Sequence, residues 1–138
     1  MPPRVDFYII ESAPQNPLLA VCRLLEKAYQ SGQRIFVSAA NEAQAIALDD
    51  LLWTFREDNF IPHQLQSENP GDNTPIVIGW QAATAEYAVL VNLADAIPET
   101  AWTTPRVIEF VTPENKEPSR LRYSTYREKN CALHTHRI

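Results

Sequence analysis

The stretch Arg34–Leu65, RIFVSAANEAQAIALDDLLWTFREDNFIPHQL, contains a strand, the start of a helix, the helix itself and its stop. Arg34 to Ala39 is rich in β-branched and aromatic residues, which predicts a strand. Asn41 follows as a helix N-cap, with Gln44 three residues on in a capping-box arrangement. On a helix at 100° per residue, Ala45, Leu48, Leu51, Leu52 and Phe55 form one core-facing stripe. Trp53 lies roughly 140° from the middle of that stripe, on the same flank as Ile46, so the largest apolar side chain of the helix points away from its core face. Two roles suit it, packing under a loop or anchoring an interface, where tryptophan is enriched. Beyond it, Phe60-Ile61-Pro62-His63 is expected to be extended, because Pro62 disfavours the helical basin for Ile61.

Working outward, Val5 to Ile10 (VDFYII) is a second β-branched and aromatic run, and Pro14 to Pro17 breaks the chain before a helix. Leu18, Val21, Cys22, Leu25, Ala28 and Tyr29 make that helix's buried stripe, and Ser31-Gly32 closes it. Strand, helix, strand, helix with short connections is the signature of a parallel layer covered by helices, hence an α/β fold. Residues 66 to 75 form a polar loop. Ile76 to Trp80 and Tyr87 to Leu93 are expected as strands joined in a hairpin by Gln81 to Glu86, the second continuous enough in apolar residues to be covered on both faces. Residues 94 to 105 are expected to be irregular. Arg106 to Val111 is a last strand, Pro118 fits the first turn of a terminal helix reaching about Lys129, and residues 131–138 are expected as a mobile tail.

A chain of 138 residues is the size of one domain and buries a core without disulfides or metal, so residues 1–138 are read as a single domain. It has no apolar run approaching the ~20 residues of a membrane helix and no signal-peptide pattern. Two cysteines in dissimilar settings, Cys22 and Cys131, fit a reducing cytoplasm rather than a disulfide framework. The net charge of −5 conceals an asymmetry: residues 1 to 110 hold six Lys+Arg against fourteen Asp+Glu, or −8, whereas residues 111 to 138 hold six against three, or +3. A basic patch on an acidic body suits a short acidic peptide better than a long polyanion, so strong direct binding to nucleic acid is not expected.

Familiar catalytic patterns are missing. The connection after the first strand is Glu11 to Pro17, without glycine, and Gly32, Gly71 and Gly79 lie elsewhere, so there is no nucleotide-binding loop. Cys131, His134 and His136 fall short of a four-ligand zinc site. His63 lacks a partner for nucleophilic catalysis and is read as a structural hydrogen-bonder, and Asp49-Asp50 project to different parts of the helix surface. No metal and no cofactor are expected. An α/β enzyme processing nucleotides or phosphates without these motifs is the alternative function.

The terminal helix is more informative. Lys116, Arg120, Tyr123 and Arg127 share an arc of only ~60°, with Arg122, Tyr126 and Lys129 elsewhere on the surface. Arginine can hold a carboxylate bidentately and tyrosine supplies an apolar wall with a polar tip. Taken together, LDDLLW with FIPH, then VIEFV and the Arg120–Arg127 pattern Arg-x-Arg-Tyr-x-x-Tyr-Arg, resemble the chi subunit of bacterial DNA polymerase III across almost the whole chain. The resemblance implies one Rossmann-like α/β domain, with helices on both faces of a mostly parallel open sheet and no catalytic activity. It further implies an accessory subunit of the clamp-loader assembly in DNA replication, binding the acidic C-terminal tail of the single-stranded-DNA-binding protein, with a psi subunit as a second partner. Carried over by residue, the tail-binding positions are Trp53, Val111, Arg120 and Tyr123, with Phe60 near Trp53 and with Lys116 and Arg127 in support. Trp53 and the basic helix are expected to meet in one pocket. The family example carries lysines before and just after the Arg-Tyr pair, whereas here Lys116 lies across a length difference and Ser124 occupies the later position, which implies weaker or differently distributed affinity for the tail.

Overall fold

The computed structural model describes residues 2–10, 16–55, 61–68, 74–83 and 85–137. In chain order the elements are β1 (Arg4–Ile9), α1 (Leu18–Gln30), β2 (Ile35–Ser38), α2 (Glu42–Thr54), β3 (His63–Leu65), β4 (Ile76–Gly79), β5 (Val89–Asn92), β6 (Arg106–Val111), α3 (Lys116–Glu128) and β7 (Ala132–Arg137), with short 3₁₀ helices at Gln66–Glu68 and Glu99–Thr103. The strands form one seven-stranded sheet in the order β3-β4-β2-β5-β6-β1-β7, and every described pairing is parallel.

The inner strands read as largely apolar runs because both of their faces are covered. Their side chains alternate between two cores, as a period of two requires. Ile35, Val37, Ile76, Ile78, Val89, Val91, Ile108 and Phe110 join Leu25 of α1 and Leu48 of α2 on one face. Phe36, Val77, Leu90, Val107, Val5 and Phe7 join Tyr126 of α3 and Ala101 on the other. This is the α/β sheet with helices on both faces that the sequence implied.

Local signals account for the helix ends. Asn41 caps α2, its side chain accepting from the Gln44 amide at 2.8 Å, while Gln44 reaches back to the Ala40 amide at 2.7 Å, a variant of the capping box. Ala45, Leu48 and Leu52 are buried, with Leu51 and Phe55 packed partly against the same core. Gly32 has φ of 80° just past α1, the left-handed position that glycine occupies without a steric penalty.

Three expectations are corrected. The segments around β4 and β5 are not a hairpin: both pair in parallel with β2, one on each side of it, so the chain between them crosses over β2. A hairpin would be antiparallel, and a sheet covered on both faces by crossover connections favours the parallel arrangement. Arg122 and Tyr126 are not on the surface but buried. Finally, the expectation of a mobile tail over residues 131–138 is corrected for residues 132–137. Asn130 adopts φ of 62° and the Cys131 amide donates to the Tyr126 carbonyl at 3.1 Å, turning the chain out of α3. Residues 132–137 then pair with β1 along its whole length. Leu133 packs into the α3-side core, and on the opposite face His136 stacks on Tyr8 with ring centroids 4.6 Å apart and bonds Asp6 at 2.8 Å.

Candidate functional site

A groove of about 540 Å³ opens between α3 and the C-terminal ends of β1, β6 and β7, the end at which ligands of open parallel sheets collect. Its floor is apolar, with Phe7, Ile9, Ile10, Val111 and Pro113. Its walls carry Lys116, Ser119, Arg120 and Tyr123 from α3 and Thr135 and Arg137 from β7.

The strand register explains the floor. Ile9 lies opposite Val111 on one side and Arg137 on the other, and neighbours in a parallel register project to the same face. Phe7 is likewise opposite Glu109 and Thr135. The turn into α3 is fixed by Asn115, whose side chain accepts from the Thr112 amide at 2.7 Å and donates to the Phe110 carbonyl at 3.1 Å. Tyr123 rests edge-on against Phe7, with ring centroids 5.3 Å apart, and remains 38% exposed.

Beneath the wall, a buried polar cluster holds α3 on the sheet. Arg122 Nε donates to Glu109 at 2.9 Å, and the other oxygen of Glu109 accepts from Tyr126 at 2.7 Å and from Asn92 at 2.9 Å. Arg122 also donates to the Asp95 carbonyl at 2.8 Å and to Ser119 at 3.1 Å. Burial pushes the Glu109 carboxyl above its ordinary range, opposed first by Arg122 and then by Asn92 and Tyr126. Burial and the neighbouring Glu109 both push the Tyr126 hydroxyl up, leaving it a neutral donor.

The structure therefore brings together Val111, Lys116, Arg120 and Tyr123 from the residues singled out in the sequence. Arg127 is exposed on the last turn of α3 and does not line the groove. Trp53 is not there either, correcting the expectation of a shared pocket. It projects from α2, which packs on α1, β3 and β4, whereas α3 packs on β6 and β7. The two helices lie on opposite faces and toward opposite edges of the sheet. Phe60 lies outside the described residues.

Trp53 is 55% exposed, with its ring 5.0 Å from that of buried His63. His63 Nδ1 must carry a proton, since it lies 2.7 Å from the Ile61 carbonyl, and Nε2 faces Asp49 at 3.2 Å. Burial pushes the Asp49 carboxyl up, with His63 pulling the other way and the Trp53 indole donating a hydrogen bond to it. His63 thus ties the start of β3 to α2, the structural role read from its sequence context.

Sequence reasoning missed Thr135 and Arg137. The available signals were Asn130 after a basic helix end and the alternation of Leu133 with His134 and His136. A second cavity of about 410 Å³ borders α1 and the ends of β5 and β6, lined by Asn92, Asn115 and Arg122 among others. Each of those three side chains is already hydrogen-bonded within the protein. Among the described residues no group of three or more His, Cys, Asp or Glu could hold a metal ion, and no helix is long and apolar enough to cross a membrane.

The profile of the family described as "DNA polymerase III chi subunit, HolC" matches residues 1–134. Among curated proteins, the chain is similar to three named DNA polymerase III subunit chi. That of Pseudomonas aeruginosa is 37% identical, covering 98% of this chain and 96% of the relative. That of Escherichia coli is 30% identical over 83% and 81%, and that of Haemophilus influenzae 30% identical over 96% of each.

Proposed function

The chain belongs to the DNA polymerase III chi subunit family, and from that premise we propose that it is a non-enzymatic accessory subunit of the bacterial replicase. It joins the clamp-loader assembly in the cytoplasm, with a psi subunit as a further contact, and binds the acidic C-terminal tail of the single-stranded-DNA-binding protein. The observation that carries this reading is the groove. Lys116 and Arg120 stand beside an apolar floor of Val111, Ile9 and Phe7, on a chain that is otherwise acidic. A short peptide with an apolar last residue, a free carboxylate and acidic residues upstream matches each of those features. A long polyanion would meet the body charge as well as the groove, so binding to bare single-stranded DNA is weak. The relatives' shared name, that of a polymerase subunit, favours an accessory role over the enzyme alternative.

In this reading Arg120 receives the terminal α-carboxylate, while Val111 and Tyr123 enclose the last side chain. Trp53 lies outside the peptide groove. The test is a double-mutant cycle by calorimetry, pairing wild type and Arg120→Ala with free-acid and amidated forms of the tail peptide. A charge-assisted hydrogen bond contributes about 1.5–3 kcal/mol, so amidation and Arg120→Ala each weaken binding roughly tenfold or more, and the two losses do not add. Equal affinity for acid and amide, or full additivity, would show that Arg120 does not read the carboxylate.

A further inference from the structure

We propose that the acidic peptide leaves the groove along α3, past Tyr123, and that Arg127 is the specificity-determining cation for an acidic side chain about three residues before its terminus. This rests on the peptide reading above and adds to it a direction and a position.

The helix itself sets the spacing. Lys116, Arg120 and Tyr123 line the groove, and Arg127, on the last turn of α3, shares their arc of ~60°. It therefore continues the same wall beyond the groove. Arg120 and Arg127 are two helical turns apart, roughly 10 Å, which an extended peptide covers in about three residues at roughly 3.3 Å each. Both arginines are exposed, and neither is in an ion pair with a described residue. The two carboxylates of the helix, Glu117 and Glu128, stand roughly 90–110° round from the middle of the arc, which stays cationic along its length.

Two features give the direction. Thr112 and Pro113, in the turn from β6, line the groove at its Lys116 end, and Asn115 fixes that turn through the Thr112 amide and the Phe110 carbonyl. The positive end of the α3 dipole lies there too, which favours the terminal carboxylate toward that end. On the other side of Arg120 the arc runs on past Tyr123 to exposed Arg127, so the upstream acidic residues follow it.

The test uses the full chain and free-acid peptides with the same apolar last residue, in which a single aspartate is moved along an otherwise asparagine segment. Arg127→Gln weakens the peptide with its aspartate about three residues before the terminus roughly two- to fivefold, as expected for an exposed charge pair, and leaves the all-asparagine peptide unchanged. Arg127→Lys keeps most of the wild-type affinity, and Arg120→Ala weakens every peptide alike. With Arg127→Gln, an equal loss on every peptide, no loss on any, or a greatest loss at another aspartate position overturns the path along α3 while leaving the groove reading intact. Failure of the wild-type chain to bind any of the peptides overturns the groove reading itself.

Discussion

Replacing Arg122 by methionine should cost this fold far more than its place in a run of surface-like cations suggests. Arg122 is 5% exposed and its partner Glu109 is fully buried. The substitution keeps much of the aliphatic stem but removes the donors to Glu109, to the Asp95 carbonyl and to Ser119. Breaking a buried ion pair from one side costs about 3–5 kcal/mol, because the remaining charge is left in a low-dielectric site. For a chain of this length each kcal/mol is worth roughly 3–5 °C, so the midpoint of thermal unfolding should fall by about 10–20 °C at neutral pH. The deficit should also depend on pH. Burial already pushes the Glu109 carboxyl above the ordinary carboxylate range, and removing Arg122 raises it further. A group whose folded pKa is raised contributes stability below the unfolded pKa and loses it as pH rises through the folded one. Arg122→Met should therefore lie closer to wild type at pH 4.5 than at pH 7. Adding Glu109→Gln, which removes the orphaned charge, should restore much of the loss at pH 7. Circular-dichroism melts of the three proteins at the two pH values decide this. A neutral-pH shift of under about 3 °C for Arg122→Met, or a double variant no better than the single one, would refute the account.

The remaining predictions follow from the separation of the two faces and from the anchoring of β7. Trp53→Ala should lower stability by no more than about 1–2 kcal/mol, since the side chain is 55% exposed; a larger loss in a thermal melt would make it core. Any effect of Trp53→Ala on partner binding should add to that of Arg120→Ala, because the sheet stands between them, and a coupling above about 0.5 kcal/mol in calorimetry would contradict this. Burial pushes the Asp6 carboxyl up, but hydrogen bonds from His136, Arg4 and Arg106 outweigh it and hold it below the ordinary carboxylate range. Its contribution is present above the unfolded value and lost as pH falls through the folded one, so Asp6→Asn should flatten the acid limb below about pH 4 in denaturant titrations. An unchanged acid limb would show that Asp6 does not govern it.

The elements whose signals are local were legible in the chain. The stripe from Ala45 to Phe55, the Asn41 cap, the Ser31-Gly32 break and the apolar strands all follow from periodicity, capping and backbone preference. These depend on neighbours a few residues away. The basic stripe of Lys116, Arg120 and Tyr123 was legible for the same reason, since helical spacing alone puts those side chains on one side. Tertiary structure alone decided what they face. Lys116, Ser119, Arg120 and Tyr123 come from one helix, but the floor and far wall of the groove come largely from β1, β6 and β7, brought together by registers between residues more than a hundred positions apart. Ala132–Arg137 has little apolar content of its own, so its strand exists only because β1 offers an open edge and Asp6 a partner for His136. Trp53 could be read as pointing away from its core, yet nothing in a helical projection says which face of a sheet that helix covers. That choice is made by the order of the strands, and it placed Trp53 and Arg120 on opposite sides of the molecule.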